Sequence, residues 1–154
     1  MAGGPLLLGG VKIAHDQHLF GHSDADALLH AITDALLGAA GLGDIGEWFP
    51  DTADENRGRD STEMLAHAHA QLRTRNFEIA NLDCVIFAQQ PKLSKYKPAM
   101  TQRIAEILEI QPDQVGIKAK TGEHVGPIGR GEAISTQCVA LIFKSPVFKP
   151  PSNL

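Results

Sequence analysis

Cysteine is scarce in this chain, and the two that occur, Cys84 and Cys138, stand far apart with no CxxC spacing. A disulfide framework is therefore excluded, and both read as reduced residues on buried strands. No apolar run approaches the length of a membrane span, and no basic segment leading into a long apolar stretch opens the chain. Neither a transmembrane nor a secreted protein is expected. Cationic charge is not in excess either: 14 Lys+Arg against 18 Asp+Glu leave a net charge of -4. That excludes the electrostatic footprint of a nucleic-acid or anionic-membrane binder. Repeats and low-complexity blocks are also missing. What remains is ordinary globular material, 43% hydrophobic and 21% charged over 154 residues. A chain of this length buries about 70% of its unfolded surface and forms one real core without a staple. The expectation is a single-domain, cytoplasmic protein acting on something small.

The apolar pattern orders the chain. The run from Pro5 to Ile13 is broken by Gly9-Gly10, which suggests two strand pieces meeting at a bulge or turn. A first helix is expected from Ala25 to Ala40, capped by Ser23 or Asp24 and stopped by Gly41. Leu29, Ile32, Leu36 and Ala40 make its core stripe, while Asp26, His30 and Asp34 form a polar ladder on another face. Residues 41–60, rich in Gly, Asp and Pro, read as a long ordered loop, a class that tends to be functional or mobile. Asp60-Ser61-Thr62-Glu63 launches a second helix to about Arg75, ended near Asn76. A strand from Phe77 to Gln89 with a turn or bulge near Asn81 follows. A third helix from Ser94 to Leu108 carries Pro98 in its first turn. Strands from Val115 to Lys120 and from Ala133 to Phe143 flank a Gly-rich connector. The alternation predicts an α+β fold of two layers, a mixed β-sheet with helices packed on one face. It occupies residues 1–144, ahead of a loose Pro-rich tail over 145–154.

Four segments could carry chemistry. His22-Ser23-Asp24 stands where a helix begins, and unpaired N–H groups with the positive dipole end suit phosphate there; Ser23 could equally be an N-cap only. His30, one turn in, is a conceivable metal ligand or a packed histidine, since catalytic zinc needs at least three protein ligands. Lys118-Ala119-Lys120-Thr121-Gly122-Glu123, running on to Gly129-Arg130-Gly131-Glu132, suits a phosphate chain held with a divalent ion, or is a charged hairpin loop. Ala88-Gln89-Gln90-Pro91-Lys92-Leu93 could grip a ligand through backbone groups or merely join a strand to a helix. No activated Ser or Cys nucleophile is visible.

Read in order, Gly21-His22-Ser23-Asp24-Ala25-Asp26, the stretch from Leu29 to Ala40, Leu42-Gly43-Asp44-Ile45-Gly46 and Phe49-Pro50-Asp51-Thr52 make a composite pattern. With the later segments, it resembles the 2-C-methyl-D-erythritol 2,4-cyclodiphosphate synthase family from residue 4 to about 144. The resemblance implies a homotrimer with active sites between subunits. Its substrate would be a cytidine diphosphate sugar-alcohol, 4-diphosphocytidyl-2-C-methyl-D-erythritol 2-phosphate, and its products the cyclic diphosphate and CMP. The 2-phosphate would attack the β-phosphorus, so orientation and charge relief would carry the catalysis. By position, His30 would ligate zinc and Glu123 would hold Mg2+ or Mn2+. His22 and Ser23 would contact phosphate and erythritol, with His22, Thr121 and Glu123 as the catalytic group. Asp44 and Gly46, with Ile45 between them, would hold the sugar. Phe49, Pro50, Asp51, Thr52 and Ala53 would line a mobile loop. Ala88, Gln89, Gln90, Pro91, Lys92, Leu93 and Ser94 would receive cytosine from a neighbouring subunit. Lys120, Gly122 and Pro127 complete the substrate-binding positions, and Arg130 would lie near the phosphates or the trimer axis.

The chain departs from the family pattern at its start. The family's first strand carries an Asp-x-His pair that supplies two of three zinc ligands, and Met1 falls just after it. Asp16-Gln17-His18 has the spacing but reads as an ordinary turn, because aligning it would destroy the match of Leu6 to Ile13. Weak zinc binding, low activity and an exposed sheet edge are the expectations. The competing readings are a cytidine-binding trimer without catalysis and, less well supported, a generic metallohydrolase. A plastid stroma location would apply if a transit peptide preceded Met1. Ala53 replaces a usual acid, and Pro127 a usual aromatic residue.

Overall fold

The computed structural model describes residues 1–21 and 23–146. The Gly9-Gly10 break is a tight turn: β1 (Leu6–Leu8) and β2 (Val11–Ile13) pair antiparallel, with both glycines at positive φ. Such a turn requires residues without a Cβ penalty.

Helix α1 (Ala27–Ala39) begins later than the sequence suggests. Its N-cap is Asp26, whose side chain accepts from Leu29 N; Ser23 and Asp24 belong to the preceding loop, because the chain turns at Ala25 with φ 58. Gly41, at φ 69, ends it as expected. The loop over 41–60 contains a short helix α2 (Ile45–Trp48), capped by Asp44, and a 3-10 turn (Asp54–Asn56). Helix α3 (Ser61–Thr74) starts from an Asp60 cap and stops ahead of Asn76, which adopts φ 60. Strand β3 (Phe77–Phe87) ends two residues before the expected Gln89, and its register shifts between Ile79 and Asn81, where the bulge was expected. A 3-10 turn (Ser94–Tyr96) precedes α4 (Lys97–Leu108), so the third helix starts three residues late with Pro98 in its first turn. A further 3-10 turn (Pro112–Gln114), β4 (Val115–Lys120), the one-turn helix α5 (Gly126–Gly129) and β5 (Ser135–Lys144) complete the order.

The main sheet runs β4-β3-β5, parallel between β3 and β4 and antiparallel between β3 and β5. Alternation along β3 sends Ile79, Leu82, Cys84 and Ile86 into the core. There they meet Leu29, Ile32 and Leu36 of α1, Leu65 and Leu72 of α3, and Met100, Ile104 and Leu108 of α4. Burying side chains of this size stabilises by about 1.5–3 kcal/mol each against exposure. The opposite sheet face lacks that cover: Val139, Leu141 and Phe143 of β5 are exposed at 73%, 61% and 47%. Three large apolar residues alternating on one strand are a patch and not scattered exposure.

Candidate active site

The polar ladder on α1 is a set of fasteners. Asp26, fully buried, accepts from Gly9 N at 2.9 Å, Gly10 N at 2.7 Å and Leu29 N at 3.0 Å, tying the β1–β2 turn to the helix start. Burial raises its carboxyl above the ordinary 3.8, and the N–H donors of Gly10, Leu29 and Gly9 pull it back only in part. Asp34 accepts from Ile45 N at 2.8 Å and so holds α2 against α1. Between them, His30 directs Nε2 at the hydroxyls of Ser61, 2.8 Å away, and Ser23, 3.1 Å away. Ser61 is fully buried. Its hydroxyl also bonds to the Asp24 carboxylate, and its N–H donates to that carboxylate at 2.8 Å. Asp24 therefore pins the start of α3 to the start of α1.

Beside this cluster lies a cavity of about 460 Å³ lined by Ser23, His30, Ile45, Gly46, Phe49 and Asp51, among others. Phe49 is buried under the Arg59 guanidinium, 4.7 Å above its ring, with His67 at its edge. Asn56 holds the loop closed, donating to Pro50 O at 2.9 Å and accepting from Arg59 Nη1 at 3.0 Å. Asp44 spends one carboxylate oxygen on Glu47 N, at 3.0 Å, as the cap of α2. Pro50 and Thr52 are exposed on this loop and Ala53 is half-buried.

The other expected residues gather at the C-terminal ends of β3 and β4. Ala88 N donates to Lys120 O at 2.9 Å, and Gln89 Oε1 accepts from His124 N at 3.3 Å, which joins the two segments. Thr121 Oγ1 accepts from Glu123 N at 3.3 Å and lies 3.5 Å from Glu123 Oε1. This loop closes tightly on α5: a Cβ on Gly129 would stand 2.4 Å from His124 C, and one on Gly122 would stand 2.4 Å from Gly129 N. Gln89, Gln90 and Arg130 line a second cavity of about 560 Å³ together with His15, Asp16 and His18. Arg130 is held by Glu132 through Nε–Oε1 at 2.7 Å and Nη2–Oε2 at 3.1 Å, which lowers the Glu132 carboxyl. Ala88 and Leu93 are buried in the core. Lys92, Ser94, Lys120 and Pro127 are exposed, and Pro91 and Gly122 half-buried.

Within one subunit the expected residues thus form two groups. Ser23, His30, Ile45, Gly46, Phe49 and Asp51 share one cavity, and Gln89, Gln90 and Arg130 share the other; Leu19, Phe20 and Ile134 line both. His22 lies outside the described residues. In the sequence Ser61 is only part of a helix start; a hydroxyl directly after a capping acid is its one signal. Asp24, read as a cap, is the bridge between the two helices.

A zinc ion does not fit the donors around His30. Its Nε2 faces two serine hydroxyls, not thiolate, imidazole or carboxylate, and among the described residues no group of three His, Cys, Asp or Glu could hold a metal. Asp16 and His18 stay in a turn. Their backbone pairs with Met1 and Gly3, and His18 Nδ1 donates to Gly3 O. Glu123 presents an exposed carboxylate at a strand end, a donor compatible with a hard cation that shares its ligands with phosphate oxygens.

Comparison with known proteins identifies the family. A model of the YgbB family matches residues 1–143. A 2-C-methyl-D-erythritol 2,4-cyclodiphosphate synthase of Synechococcus elongatus is 51% identical over 142 residues, covering 92% of this chain and 89% of that protein. The synthase of Rhodopirellula baltica is 50% identical over 139 residues, covering 90% and 84%. A solved structure of a 2C-methyl-D-erythritol-2,4-cyclodiphosphate synthase in a CDP-bound form has a TM-score of 0.85 at 34% identity, over 93% of both chains. On fold, length and residue pattern alike, the chain belongs to the YgbB family, alongside proteins named 2-C-methyl-D-erythritol 2,4-cyclodiphosphate synthase.

Proposed function

We propose that this chain converts 4-diphosphocytidyl-2-C-methyl-D-erythritol 2-phosphate to 2-C-methyl-D-erythritol 2,4-cyclodiphosphate and CMP, at sites built between the subunits of a homotrimer. The observation that carries the reading is the separation of the expected residues within one subunit: Ser23, His30 and Gly46 line one cavity, and Gln89, Gln90 and Arg130 line the other. One half offers Ser23 and the α2 start, with Asp44 and Gly46, to the sugar and its phosphate. In the other group, the segment 88–94 after β3 would meet cytosine, and Lys120, Thr121 and Glu123 at the end of β4 would meet the diphosphate. The exposed Val139, Leu141 and Phe143 stripe supports burial of this sheet face between subunits.

In this reaction the nucleophile is the substrate's own 2-phosphate, so the protein supplies position and charge. Ser23 and backbone N–H groups fix the attacking phosphate. Thr121 Oγ1 donates to the diphosphate once it releases Glu123. Lys120 adds positive charge as CMP leaves. A divalent cation held by Glu123 would neutralise the diphosphate when bound. His22 would add a donor to the phosphate.

The serine-bonded His30 favours a second reading, a trimer that binds cytidine nucleotides without turnover. Subunit complementation separates the two. Thr121→Ala and Asp44→Ala chains, each depressed in CMP release, should recover activity when refolded together, because mixed trimers contain some sites with both halves native. Cytidine diphosphate binding without CMP release by the unaltered chain, with and without added zinc and magnesium, would establish the second reading instead.

A further inference from the structure

Cys84 on β3 and Cys138 on β5 oppose each other in register. Residues directly opposed in an antiparallel pair have Cα atoms about 4.5–5.5 Å apart, inside the roughly 4.4–6.8 Å that a disulfide spans. Opposed positions also project to the same side of a sheet. Here that side is the helical one: Cys84 is fully buried, and Cys138 is half-buried beside Ala140 and Ile142. Both are free thiols. The hydrogen bond to Cys138, and then burial, push the Cys84 thiol up, so it stays protonated in the resting chain.

We propose that Cys84 and Cys138 form a peroxide-reactive dithiol that closes to an intramolecular disulfide between β3 and β5. The order of events follows from exposure. Cys138, the one that solvent reaches, loses its proton, and its sulfur attacks an oxygen of hydrogen peroxide. The O–O bond breaks, leaving a sulfenic acid and a hydroxide that takes up the proton to become water. The sulfur of Cys84 then attacks that of Cys138, and its own proton leaves with the displaced hydroxyl as a second water. Two S–H bonds and one O–O bond give one S–S bond and two waters, with two electrons passing from sulfur to oxygen. The closed loop contains α4, β4 and the Thr121–Glu123 turn, so the bond restrains the unfolded chain across the part that carries one half of the site.

The test is peroxide treatment of the native chain, quenching with catalase, then unfolding and alkylation. Both thiols should escape alkylation together, with a mass two hydrogens lighter, and dithiothreitol should restore both. The oxidised chain should melt about 5–15 °C higher. In Cys84→Ser, Cys138 should be trapped by dimedone as the sulfenic acid; in Cys138→Ser, Cys84 should stay open to alkylation. Cys138 proceeding to sulfinic acid while Cys84 remains alkylatable would overturn the proposal. So would disulfide-linked dimers on a non-reducing gel, or two intact thiols under conditions that oxidise an unhindered cysteine peptide.

Discussion

Replacing Asp26 by Ala should be among the most damaging single changes in this protein, although among the described residues its carboxylate bonds only to Gly9, Gly10 and Leu29, none of them an expected ligand position. Its carboxylate is the acceptor for three backbone N–H groups, two of them in buried bonds, from Gly9 and Leu29, and the third, from Gly10, in a partly buried one. Alanine leaves the first two without partners, at about 1–3 kcal/mol each, while water can reach Gly10. Some of this is returned, because the carboxylate no longer has to be desolvated, a cost visible in its raised pKa. The net loss should be about 2–5 kcal/mol, or a melting temperature about 5–15 °C lower in a domain of this size. Asp26→Asn keeps one acceptor oxygen but turns an NH2 toward a donor, so it should fall between the two. Urea unfolding at neutral pH measures the loss, and amide exchange should quicken first at Gly9, Gly10 and Leu29. A loss under about 1 kcal/mol with those amides still protected would refute the view that this carboxylate joins hairpin to helix.

Two further outcomes are expected. Gly129→Ala should cut CMP release at least tenfold while the circular dichroism spectrum is preserved, because the new Cβ forces the His124 backbone and the Thr121–Glu123 turn apart; unaltered turnover would detach this turn from the reaction. His69, whose pKa is lowered by burial ahead of the opposing Glu109 charge and the reinforcing Arg73 charge, binds its proton less readily folded than unfolded. Its contribution is therefore present above the unfolded value of 6.5 and fades as pH falls below it, so the chain should lose stability on acidification from pH 7 and His69→Gln should lose less. Equal pH slopes for the two proteins would contradict that.

Element types were readable from the chain because they rest on local chemistry. The period of Leu29, Ile32 and Leu36, the Asp60 start and the Asn76 stop of α3, and the Gly9-Gly10 turn each act over a few residues, where steric and hydrogen-bonding preferences are strong. The helix start was misread for a comparable reason: Ser23, Asp24 and Asp26 are all competent caps. The choice among them fell to Asp26 because only its carboxylate also receives the N–H groups of a turn folded in from β1 and β2.

Sequence alone determined the family, the apolar stripe of α1, the mixed sheet and which segments are expected to bear chemistry, since periodicity, glycine placement and residue order are properties of the chain itself. Tertiary structure decided what those segments do to one another. It brought Ser61 to His30 across 31 positions, set Cys84 opposite Cys138, put Ser23 and His30 on one cavity and Gln89 and Arg130 on another, and left an apolar strand face open. Such pairings arise from packing free energy summed over the whole core, and no window of neighbouring residues contains it.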